Sequence, residues 1–99
     1  MGRARLDLNN PEFQRQLFQL PKPDIQRLIG TLRRLRMVTW EQIYADSGLR
    51  WEAILSRHGP DGEALYTIRV SQKCRAVVMR EGDWMRFLTI HPDHDGAYR

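Results

Sequence analysis

Cysteine occurs once in the 99 residues, at Cys74, so no internal disulfide and no cysteine-rich zinc site can form. Lysine is scarce too, since fourteen of the sixteen basic residues are Arg. No apolar stretch approaches the ~20 residues that a membrane-spanning helix needs. The basic start from Met1 to Arg5 is followed by no apolar run, so no secretory leader is expected. Leu6 stands where a myristoylation signal requires Ser or Thr. Repeats, linkers and low-complexity tracts are missing as well. These absences lead us to expect a cytoplasmic chain with no membrane partner. A length of 99 residues leaves room for one core, hence a single domain over 1–99.

What is present is basic and unevenly placed. Residues 1–36 carry eight Arg/Lys against three Asp/Glu, and residues 37–99 carry eight against nine. A basic half suits a polyanion or an acidic partner protein. Guanidinium makes bidentate contacts to phosphate that an ammonium cannot match. A GC-rich genome that encodes Arg where others encode Lys is the alternative source of this excess.

The periodicity divides the chain. Leu6-Asp7-Leu8 alternates and predicts a short first strand. Asn9-Asn10-Pro11-Glu12 reads as a helix start, with Phe13, Leu17, Phe18 and Leu20 as its apolar stripe. Pro21-Lys22-Pro23-Asp24 breaks it. A second helix follows, with Ile25, Leu28, Ile29, Leu32 and Leu35 on one face. A short third helix is expected from Thr39 to Tyr44, ending near Ser47-Gly48. Beyond that the period falls to two, with strands expected at Trp51–Ser56, Leu65–Val70, Cys74–Arg80 and Trp84–Ile90. The expected fold is α+β, an N-terminal helical hairpin packed on one face of an antiparallel sheet meander.

Register decides which side chains share a face. A three-residue turn at Ser71-Gln72-Lys73 sets Arg69 opposite Arg75. Tyr66, Ile68, Val70, Cys74, Ala76 and Val78 then share the face toward the helices. A two-residue turn at Glu81-Gly82 adds Met85 and Phe87 to that core face. It also adds Trp84, Arg86 and Leu88 to the face of Arg75. Two opposed cations repel by about 0.2–1 kcal/mol, and these strands offer no acid beside them. RNA phosphate would supply the missing charge, with Arg86 and Lys73 as further contacts and Trp84 as a stacking surface. An ordinary solvated face, its Args paired with Glu52 or with acids of the tail, is the plainer alternative.

Tyr66-Thr67-Ile68-Arg69-Val70, a short turn, and Cys74-Arg75-Ala76-Val77-Val78 together resemble the paired central strands of the RelE/ParE toxin superfamily. Leu20-Pro21-Lys22-Pro23 between the helices, and the last strand running into His91-Pro92-Asp93-His94-Asp95-Gly96-Ala97-Tyr98, extend the likeness over most of the chain. The resemblance implies a RelE-like fold and an mRNA endoribonuclease, metal-independent and ribosome-dependent, that an antitoxin protein neutralises. It also implies that Arg69 and Arg75 occupy the strand positions of the family's nuclease arginines. His91 matches the C-terminal acid or base, and Glu52 more weakly the acid some members use. Two alternatives stay open: a toxin-like binder of gyrase or another protein without cleavage, and an inactive RNA- or protein-binding module. The segment from Thr39 to Gly48 departs from the family by being longer and more aromatic, and the tail by its two histidines and two acids.

Cutting RNA without a metal requires attack by the ribose 2′-OH on the adjacent phosphorus. Arg69 and Arg75 would stabilise the charge that builds up there. Glu52 or Asp95 would be the base and His91 or His94 the acid, histidine being suited by its pKa of ~6.5. His94 and Tyr98 would also contact RNA, Tyr98 by orienting a base. His91, His94 and Asp95 have a spacing that zinc tolerates, but without cysteine support no metal or other cofactor is expected. Cys74 falls on the core face, where thiols are inert.

Overall fold

The computed structural model describes residues 2–93, so His94, Asp95 and Tyr98 lie outside the described residues. The elements run β1 (Arg5–Asp7), α1 (Pro11–Gln19), α2 (Lys22–Leu35), α3 (Trp40–Ala45), β2 (Glu52–His58), β3 (Ala64–Arg69), β4 (Arg75–Glu81) and β5 (Trp84–His91). This is an α+β arrangement of three helices and one five-stranded sheet in the order β1-β5-β4-β3-β2. No described helix is long and apolar enough to cross a membrane.

Local chemistry explains the helix ends. The Asn10 side chain accepts from the Glu12 and Phe13 amides at 2.9 and 3.2 Å, and Pro11 opens α1 where its missing N–H costs nothing. Pro23 does not delay α2: it sits in that helix's first turn, and α2 begins at Lys22. Thr39 and Gln42 form a capping box at α3, their amides bonding each other's side chains at 2.9 and 3.2 Å.

All three helices bury their apolar stripes on one face of the sheet. Phe13, Leu28, Leu35 and Ile43 meet Ile68, Ala76, Val78, Met85, Phe87 and Ile90 in one core. Phe13 and Phe87 pack with ring centroids 5.3 Å apart, which ties α1 to β5. Ile29, expected on the buried stripe of α2, is 46% exposed; Leu28, Leu32 and Leu35 define the buried line instead.

The sheet departs from an all-antiparallel meander at β1, which pairs parallel to β5 with Leu6 beside Met85 and Asp7 beside Arg86. The turn between β4 and β5 is Gly82-Asp83 rather than Glu81-Gly82, because Glu81 pairs with Trp84. Gly82, at φ +60°, takes the left-handed turn position that Glu81 would resist. The face away from the helices is not simply a solvated surface, the plainer alternative weighed from the sequence. Ile54, Leu65 and Val77 are buried there as a second small core flanked by Met79 and Leu88.

Candidate nucleic-acid interface

The β3–β4 register is the one the three-residue turn predicts. Val70 donates to the Cys74 carbonyl at 3.0 Å, and Arg69 faces Arg75. Across β4, Arg75 in turn faces His91. Arg69, Arg75 and His91 therefore form a row across three adjacent strands, with ~5 Å between neighbouring strands. The next row, two residues along each strand, is Glu52, Thr67, Val77 and Thr89.

The two opposed arginines resolve their repulsion differently. Arg75 turns back over the β3–β4 connection, where its Nη1 donates to the carbonyls of Ser71 (2.7 Å), Gln72 (3.2 Å) and Cys74 (3.1 Å). It is 5% exposed, so it clasps the turn rather than standing open to a ligand. Arg69 is half-buried and has no ion pair among the described residues. Lys73 is exposed in the turn that Arg75 holds.

Two irregularities in the sheet decide what else reaches this row. On β5, Val78 faces Phe87 but Val77 faces Thr89, so Leu88 is an extra residue. That bulge reverses the alternation. Ile90 thereby enters the core and His91 comes to the face of Arg75. On β2, Ile54 faces Leu65 but His58 faces Ala64. The intervening shift brings Arg57 onto the same face, and its guanidinium acts on His91. Burial, and then the Arg57 charge, hold the His91 pKa below its ordinary value. The His91 Nε2 lies 2.9 Å from the Thr89 hydroxyl. The Arg57 Nε is buried with no hydrogen-bond partner among the described residues. Arg57 was not singled out from sequence, because strict alternation from Glu52 puts it on the opposite face.

The remaining expected residues separate. Glu52 stands at the β2 edge of the second row, 3.5 Å from the Arg50 guanidinium. Arg86 shares the face but lies opposite Met79, four residues along β4 from Arg75, which is ~13 Å at the rise of a strand. Acids do neutralise it there: Arg86 bonds Asp7 at 2.8 Å and Glu81 at 2.6 Å. Trp84 belongs to that far end, with the Arg5 guanidinium 5.0 Å above its ring. Neither Arg86 nor Trp84 joins the row of Arg69. Cys74 is buried in the core, and burial pushes its thiol up to about 11, so it stays protonated.

The face thus carries Arg69, Arg75 and His91 in one row, with Glu52 in the next row and Arg57 acting on His91 from the other end of β2. Such a set attracts a phosphodiester and holds a neutral imidazole near it. Set against protein-family models, curated proteins and solved structures, the chain finds no match in any of the three.

Proposed function

We propose that the row across β3, β4 and β5 binds RNA and cleaves it without a metal, in the manner of a RelE-like toxin. The observation that carries this reading is the row of Arg69, Arg75 and His91 across three strands, with Arg57 acting on a histidine whose pKa is depressed. Arg69 and Arg57 hold the scissile phosphate. Arg75 adds positive potential from beneath while fixing the turn. A depressed pKa makes His91 neutral at pH 7, which suits a base rather than an acid. His91 takes the 2′ proton, the 2′ oxygen attacks phosphorus, a 2′,3′-cyclic phosphate forms, and water protonates the departing 5′ oxygen. On this reading the substrate is mRNA at the ribosome, the partner is an antitoxin, and α1 with α2 is the family's N-terminal hairpin.

One observation favours a second reading. A guanidinium committed to three carbonyls, as in Arg75, is poorly placed to follow charge onto a phosphate. A toxin-like protein that binds RNA, gyrase or another protein without cutting RNA would keep such an arrangement. Inducible expression in a bacterial host, following growth and one reporter mRNA together, separates the two. Arrest with discrete cuts that disappear in Arg69→Ala supports the nuclease. Arrest with intact mRNA supports the binder.

A further inference from the structure

Beside the row, where α3 leads into β2, lies an open pocket of about 410 Å3 lined in part by Tyr44, Arg50, Trp51 and Arg69. Its volume falls in the range of small-ligand sites. We propose that this pocket takes the base of the nucleotide next to the phosphate held on the sheet face. The proposal rests on the RNA reading above and makes α3 an element of RNA selectivity.

Three observations lead there. Arg69 belongs both to the pocket and to the row of Arg75 and His91, so a ligand on one is adjacent to the other. Trp51 is fixed rather than loose: Tyr66 stacks on it at 4.6 Å, and Tyr44 meets it edge-on at 5.4 Å. Tyr44 remains 49% exposed, a held aromatic surface of the kind on which bases stack. Arg50 has φ 51°, the left-handed conformation that favours glycine, yet glycine is not used. The strained position carries a planar cation to the pocket wall, and strain of this kind collects at ligand sites.

The acid in the wall does not oppose a nucleotide. Asp46 is committed to Arg34 in an ion pair and to the amides of Gly48 and Leu49 at 2.8 and 3.1 Å. Among the described residues Arg50 keeps only an exposed 3.5 Å ion pair with Glu52, so two aromatic rings and the guanidinium groups of Arg50 and Arg69 favour a flat ring bearing an anionic link.

The test is fluorescence anisotropy of the full chain with a short single-stranded RNA. The same RNA is also prepared with one abasic nucleotide at each position in turn. The wild type should lose about tenfold in affinity when the abasic nucleotide falls at one particular position. Arg50→Gly should bind intact RNA about tenfold more weakly and lose that position dependence. It should also melt no lower than wild type, since glycine accepts φ 51°. Tyr44→Leu should behave alike in binding. Arg57→Ala, on the sheet face, should weaken every RNA by a common factor. If wild type binds and Arg57→Ala weakens it, while Arg50→Gly and every abasic position are neutral, the pocket proposal is wrong and the sheet-face reading stands. Absence of any RNA binding by the wild type overturns both.

Discussion

Replacing Arg75 with alanine should damage the fold before it damages any chemistry. Its Nη1 supplies a donor to the carbonyls of Ser71, Gln72 and Cys74, the closest at 2.7 Å, and the side chain is 5% exposed. Hydrogen bonds from a charged group are worth about 1.5–3 kcal/mol. Water at the exposed Gln72 and the amides of Val70 and Ser71 at Cys74 keep the released carbonyls satisfied, so no further penalty is added. Relief of repulsion with Arg69 returns about 0.2–1 kcal/mol. The net loss is therefore about 1.5 kcal/mol, which for a domain of this size lowers Tm by roughly 6–12 °C. Arg69→Ala, removing a half-buried side chain with no ion pair among the described residues, should stay within about 0.5 kcal/mol of wild type. Urea and thermal unfolding of the two variants, measured beside RNA binding, give the comparison. Arg75→Ala that melts like wild type but loses RNA would refute the turn-clasp argument and return Arg75 to the ligand site.

Phe13→Ala should cost about 3–5 kcal/mol, because Phe13 is wholly buried against Phe87 and no neighbour can fill the space; denaturant unfolding measures it. His91 has a folded pKa below 6.5, so the unfolded chain takes up the proton first as pH falls. Stability should then be intact above pH ~6.5 and decline as pH drops below it. Unfolding midpoints of His91→Gln across that window should lack the decline that wild type shows. Arg86→Ala should change RNA affinity less than about twofold, since Asp7 and Glu81 already neutralise this guanidinium; a loss as large as that of Arg69→Ala would contradict the separation of the two ends.

The core face of β3 and β4 was legible in the sequence. The three-residue turn at Ser71–Lys73 and simple alternation led to the Arg69–Arg75 pairing and to Ile68, Ala76 and Val78 as core, all as found. The helices were legible because Asn10, Pro11 and Thr39 mark their starts. Less of the site was legible. Alternation assumes an unbroken ladder, and the bulge at Leu88 and the shift after Ile54 each reverse it, one delivering His91 and the other Arg57. Nothing in single-residue preference marks those two breaks. The β1 partner was hidden for another reason: three residues pairing with a strand some eighty positions away leave no local pattern. Treating charge without burial also left out the carbonyls that Arg75 bonds in its own turn while 5% exposed.

Cleavage of RNA by this sheet face through Arg57, Arg69 and His91 remains a proposal that one experiment addresses head-on. The most direct measurement is cleavage of a defined mRNA on programmed ribosomes, with both new ends mapped and chemically typed. Discrete cuts ending in 2′,3′-cyclic phosphate are expected, abolished in His91→Gln and Arg69→Ala and retained in Arg86→Ala. Intact mRNA with the wild-type protein, or cuts that survive the loss of both Arg69 and His91, would contradict the proposal.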